Sequence, residues 1–172
     1  MAEGGLPTFT VDRVCAKAQV SRGLVTHHFG SMADLLAASY AHIYARAIPV
    51  AQTLPQGAAR LPALLDHLFD PEHFNRPALN IWLTLWGAIA NTPELGAEHR
   101  RKYPAYCHLV AQILSDEATR RGRLIKAEAL ARSFICLVDG LGLQHCIDPD
   151  SLPADQARQA CEDFLTLHLG PI

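Results

Sequence analysis

Residues 10–29, TVDRVCAKAQVSRGLVTHHF, decide how this chain is read. Val11, Val14, Cys15 and Ala18 recur at spacings of three and four, the period of a helix with one apolar face, and leave Asp12, Arg13 and Lys17 on its wet side. Val20 then plugs a corner. Ser21 is a residue type that accepts a free backbone N–H at a helix start, so a second short helix opens there with Arg22, Gly23, Thr26 and His27 facing outward. Small residues let such a helix approach a duplex, Arg22 supplies charge, and Thr26 and His27 carry groups able to reach base edges or phosphates. These are the requirements of a helix that enters a major groove.

Composition bounds the remainder. The chain has 172 residues, 49% of them hydrophobic but only 7% aromatic, enough for one or two domains with a real core. Ala and Leu dominate, and β-branched runs and Asn-Gly hairpin signals are missing, so the expected fold is all-α. No stretch reaches about 18 uninterrupted apolar residues and no basic-then-apolar leader opens the chain, which implies a cytoplasmic protein without a membrane partner. Cys15, Cys107, Cys136, Cys146 and Cys161 are odd in number, lack CxxC spacing and fall on apolar faces, so reduced, buried thiols are expected. The formal net charge is -2, unevenly spread: residues 1–46 carry a net +1 and residues 127–172 a net -5. The acidic end is the one expected to face away from DNA.

Beyond the opening pair, Ser31 and Asp34 mark the start of a helix whose face is Leu35, Leu36, Ser39, Tyr40, Ile43 and Ala47, and Pro49 is placed to end or hinge it. A short amphipathic helix follows from about Ala58 to Phe69. Asn75-Arg76-Pro77 opens the next, the most apolar in the chain, on which Trp82 and Trp86 lie four apart on one face. They either fill core or offer π-faces to a cationic ligand. Thr92-Pro93-Glu94 combines a capping hydroxyl, proline at the first position and an acid at the positive dipole end. It starts a long helix toward Arg120-Arg121-Gly122 that Tyr103-Pro104 is expected to interrupt. Two helices, Lys126 to about Cys146 and Pro153 to about Leu169, close the chain with more apolar surface than one core contact needs. Gly140 and Gly142 would allow close helix approach there, which suits a dimer.

The order from Val14 to Ser31, VCAKAQVSRGLVTHHFGS, with Leu35-Leu36 in register, resembles the DNA-binding motif of TetR-family transcriptional regulators. The resemblance implies an N-terminal helix-turn-helix head, residues 1–46, on a helical-bundle ligand-binding and dimerisation domain, residues 47–172. It implies DNA contacts from Thr10, Ser21, Arg22, Gly23, Thr26, His27 and His28, and effector contacts from Trp82, Trp86, Tyr103, Phe134 and Val138. The partners it implies are double-stranded DNA with a near-palindromic operator, a small-molecule effector, and a second copy docked through the last two helices. Residues 78–172, with the Trp-Leu-x-Leu-Trp piece and Val138-Asp139-Gly140-Leu141, are similar to the regulatory domain of the choline-responsive, betaine-pathway branch of that family.

Three positions depart from the family pattern. Gln19 stands where the corner favours Gly, and a positive φ there costs a non-glycine residue about 1 kcal/mol. Met32 replaces a phosphate-contacting Lys, so affinity and salt dependence should be lower. Only nine residues, MAEGGLPTF, precede Thr10 where the family has an additional helix. Gly4, Gly5 and Pro7 make those nine a loop or frayed end, and a two-helix head would leave its apolar face exposed. A late start and a true loss of the helix are both open, and the second reading of the chain is an all-α ligand-binding or dimerisation module that no longer binds DNA alone. An enzyme is the weakest reading: the nine histidines, His27, His28 and His67 among them, lack HExxH spacing, and neither a Gly-rich phosphate loop nor a nucleophile motif occurs. No metal or cofactor is expected.

Overall fold

A computed structural model describes residues 1–172, with side chains described for all but 46–52. Its described residues form eight α-helices and two short 3-10 turns. The helices are α1 (Val11–Ala18), α2 (Arg22–Phe29), α3 (Met32–Gln52), α4 (Arg60–Leu68), α5 (Arg76–Ile89), α6 (Pro93–Arg120), α7 (Ala127–Ile147) and α8 (Ala154–Leu169). The expected hinge at Pro49 falls within 46–52, outside the residues whose side chains are described.

Local chemistry sets most of these boundaries. Thr10, Ser21 and Asn75 each accept a backbone N–H three residues on, from Arg13, Leu24 and Ala78. Ser31 accepts from the Asp34 amide at 3.0 Å and donates its hydroxyl to the Asp34 carboxylate at 2.6 Å, a reciprocal cap that starts α3. Thr92 precedes α6 as expected but makes no side-chain capping bond, so Pro93 and Glu94 alone mark that start. α6 is also uninterrupted. Pro104 sits inside it with its ring exposed, where the missing N–H removes a single ladder bond without a break.

Two apolar clusters organise the body. The larger joins Leu61, Leu64 and Leu65 of α4 with Val110, Ile113 and Leu114 of α6, Phe134 of α7 and Cys161 and Leu165 of α8, all 3% exposed or less. Burial of a leucine of this kind contributes about 2 kcal/mol. The smaller joins Leu36, Tyr40 and Tyr44 of α3 to Leu85 and Ala88 of α5 and Leu95 of α6. Arg158 pairs with Asp66 at 2.7 Å, tying α8 to α4, and Arg60 pairs with Asp116 at 2.9 Å, tying α4 to α6.

Residues 1–9 are not frayed. Leu6–Thr8 form a 3-10 turn, the Asn80 side chain donates to the Met1 and Ala2 carbonyls at 3.2 and 2.9 Å, and Met1 and Phe9 pack on the smaller cluster. The apolar face of α1 is nevertheless only half-buried, at Val11, Val14 and Cys15, and Leu24 and Phe29 of α2 are 42% and 38% exposed. The cysteine expectation is corrected in part, because Cys136 is exposed and Cys15 only half-buried, although no cysteine is bonded to another.

α7 is long and apolar enough to cross a membrane by length and composition alone, with a third of that window buried inside the protein. Its inner positions pack on α5, α6 and α8. Its outer positions, Cys136, Gly140, Leu143 and Ile147, recur at spacings of three and four and face solvent. Gly142 does not belong to that outer stripe. Two residues along a helix is a 200° turn, so Gly142 points inward, where a Cβ would meet Leu79 Cδ2 at 3.0 Å.

Candidate DNA-binding head and effector cavity

The head is a helix, a corner and a helix. Gln19 forms the corner at φ 56°, the one non-glycine residue with positive φ among those described, and its amide bonds back to the Cys15 carbonyl. A left-handed residue after a helix closes the last carbonyls and turns the chain sharply, at a cost to any side chain with a Cβ. The corner swings α2 across α1 so that Val25 is the buried anchor of the pair. Arg22, Gly23, Thr26, His27 and His28 are all exposed on α2. A Cβ on Gly23 would come no nearer than 3.9 Å to Ser21 Oγ, so this point of the helix is open to a close partner. Thr26 donates its hydroxyl to the Arg22 carbonyl at 3.2 Å, and the rings of His27 and His28 meet edge to face at 5.5 Å. Arg22 is ion-paired with Asp12 of α1, and both side chains are about two-thirds exposed. A phosphate would therefore have to exchange with Asp12, at little cost in water. Thr10 and Ser21 act first as helix caps, with their side chains still at the surface.

A cavity of about 430 Å³ lies between the two apolar clusters, in the range of small-molecule sites. Trp82 and Trp86 of α5 stack along its wall with ring centroids 6.0 Å apart, and Tyr44 of α3 meets Trp82 at 5.6 Å and Tyr106 at 6.0 Å, both near perpendicular. Tyr103 and Val138 also line it. Phe134 does not: it is 1% exposed and belongs to the larger core cluster, one helical position round α7 from the cavity-lining Ile135.

Reading the sequence for aromatic spacing missed Asp139, the one carboxylate on this wall next to the rings among the described residues. Burial alone pushes its carboxyl up from the ordinary 3.8 to about 7. It has no hydrogen bond or ion pair among the described residues. Burial likewise raises the phenols of Tyr44, Tyr103 and Tyr106, so each is a neutral hydroxyl at pH 7. Several π-faces and an unpaired carboxylate in a low-dielectric wall make a site that attracts an organic cation. Among the described residues, no group of three His, Cys, Asp or Glu is placed to hold a metal ion.

The wall is continuous with the helix that carries the head. Tyr40, fully buried one turn before Tyr44 on α3, shares a 2.7 Å hydrogen bond with His99 Nδ1 of α6, and the His99 ring stacks on Tyr103 at 4.8 Å. Tyr40 also touches Tyr44 and Trp82, at 5.0 and 6.4 Å between centroids.

Residues 57–170 match the family model described as BetI-type transcriptional repressor, C-terminal, and residues 1–39 match that of the bacterial regulatory proteins, tetR family. The chain is 27% identical to the HTH-type transcriptional regulator BetI 1 of Chromohalobacter salexigens, over 96% of this chain and 83% of that one. Among solved structures, a transcriptional regulator from Pseudomonas aeruginosa PAO1 is 30% identical with a TM-score of 0.80, covering 95% of this chain and 82% of that one. A regulator from Saccharomonospora viridis, crystallised in complex with choline, shares the fold at 20% identity and a TM-score of 0.76, over 95% and 88% of the two chains. With both halves matched and the fold shared throughout, the chain belongs to the TetR family of bacterial transcriptional regulators, with a BetI-type repressor domain as its body, and its role is regulation rather than catalysis.

Proposed function

We propose that this regulator is a homodimeric, cytoplasmic repressor whose operator affinity is lowered by a small organic cation, such as choline, bound between Asp139 and the aromatic wall. The observation that carries this reading is the Asp139 carboxylate, without a hydrogen bond or ion pair among the described residues, in the cavity lined by Tyr44, Trp82, Trp86 and Tyr106. The choline-bound structure with the same fold supports it. The head is residues 1–46, with Thr10, Ser21, Arg22, Gly23, Thr26, His27 and His28 as its DNA-facing group. The body is residues 47–172, and Trp82, Trp86, Tyr103 and Val138 join Asp139 in holding the effector.

The second copy docks on the outer stripe of α7 together with α8, where Leu143, Ile147 and Leu167 are 36%, 62% and 83% exposed. Two heads on that axis read half-sites of a near-palindrome, in grooves about 34–36 Å apart or a multiple of that. A cation that fits better when α3 and α6 are shifted favours a dimer with its heads out of register, because a ligand moves an equilibrium only through its differential affinity. Fluorescence anisotropy with DNA from upstream of its own coding region tests the reading: specific binding, weakened by millimolar choline, is expected. Binding without sequence preference would sink the regulator, and binding indifferent to any cation would sink the effector assignment.

A further inference from the structure

The cavity has a second polar end. His67 of α4 and His73, in the loop between α4 and α5, both line it, with ring centroids 4.5 Å apart. Burial is the largest influence on His67 and the neighbouring His73 the next; both lower its pKa, so its imidazole is neutral at pH 7. Neither ring nitrogen of His67 has a hydrogen-bond partner among the described residues, and neither is sealed from solvent. Besides His67, the charged group that His73 faces among the described residues is Asp70, at 3.9 Å.

The two ends are separated along α7. Phe74, next to His73, packs on His145 with centroids 4.9 Å apart, and Gly142 borders the same region. The α7 positions that Phe74 meets, Gly142 and His145, lie three and six residues beyond Asp139, about 4.5 and 9 Å along a helix at 1.5 Å per residue. A bare quaternary ammonium group seated against Asp139 would leave the histidine end empty. Two adjacent imidazoles beside an apolar wall, His67 without a hydrogen-bond partner among the described residues and His73 only loosely paired with Asp70, offer N–H donors to an acceptor brought in by a ligand, best to a charged one.

We propose that the effector is bipolar: an organic cation held by Asp139 and the rings, joined by a short chain to a carboxylate or another acidic oxygen group that His67 and His73 receive at the opposite end of the cavity. This rests on the cation reading above and deepens it. His67 and His73 set specificity, selecting among cations by what trails behind the charge. His42 of α3, exposed on the same wall, adds a further imidazole at the rim.

Calorimetric titration of the intact protein at pH 7.5 with tetramethylammonium, choline and 4-(trimethylammonio)butyrate separates the claims. The butyrate is expected to bind at least about tenfold tighter than tetramethylammonium, and H67Q and H73Q are each expected to shrink that ratio while leaving tetramethylammonium affinity as it was. Equal affinities for the three probes, or a ratio untouched by both substitutions, overturns the bipolar effector but leaves the cation site standing. Failure of every probe to bind overturns both. If H67Q unfolds, as a thermal melt would reveal, H73Q on its exposed loop and the wild-type ratio still decide the matter.

Discussion

Replacing Asp139 by Asn keeps the shape of the cavity wall and removes its charge. In the empty protein the carboxyl is pushed from 3.8 to about 7 by burial, which corresponds to about 4 kcal/mol of penalty on the ionised form. Because the folded-state value lies above the unfolded one, wild-type stability is full below pH 4 and is lost as pH rises toward 7. D139N should therefore match wild type at pH 4 and become more stable above it, by at most about 4 kcal/mol at pH 8, and by less to the extent that water enters the cavity. Cation binding should change in the opposite direction. A cation against a desolvated carboxylate recovers part of that penalty, and removing one partner of such a pair costs at least about 2–3 kcal/mol, on the order of a hundredfold in Kd. Wild-type affinity for tetramethylammonium should also fall about tenfold per pH unit below 7, whereas D139N should be flat. Thermal melts between pH 4 and 8, paired with calorimetric titrations, read both quantities. Unchanged melting temperature and unchanged Kd at pH 8 would refute the argument that Asp139 is a charge held for a ligand.

Three further substitutions probe the head and the outer stripe. Q19G relieves the left-handed corner and should stabilise the protein by about 1 kcal/mol in urea unfolding, with DNA affinity held or improved. R22A should weaken DNA binding across sequences and lower the slope of log affinity against log salt by about 1 if Arg22 meets a phosphate, whereas a base contact would instead relax preference at one operator position. L167D places a charge on the exposed end of α8, and sedimentation should then report monomers with operator binding reduced. A dimer that persists would move the interface off α7 and α8.

How much of this was legible depended on whether a signal was local. The caps at Ser21, Ser31 and Asn75 act over three residues, so their side-chain types alone located those helix starts, whereas the same role of Thr10 went unread. The corner at Gln19 came from the family resemblance instead, since a glutamine side chain does not itself announce a positive φ. The cavity was not local. Tyr44, Trp82, Tyr106 and Asp139 come from four helices, and helical spacing cannot tell a side chain turned toward a cavity from one turned toward core or solvent. Trp82 and Trp86 were found because four residues put them on one face. Phe134 was misplaced because one position round α7 separates core from cavity. The glycines erred similarly: at 140 and 142 they lie near one another in the chain but on opposite sides of α7. Asp139 looked like one more acid in the negatively charged C-terminal segment until burial set it apart.

α3 has one consequence for anyone who would recombine such regulators. It lends Ile43 and Tyr44 to the effector cavity and Leu36 and Tyr40 to the support beneath the head, so no seam along it separates the two tasks. A hybrid joined at position 46 would bring in a foreign body whose pocket borrows a wall from the old head. The better splice falls at the Gly30-Ser31 corner, ahead of the first α3 side chain that touches either cluster. Reporters built both ways should differ, with inducibility transferred intact only by the earlier junction.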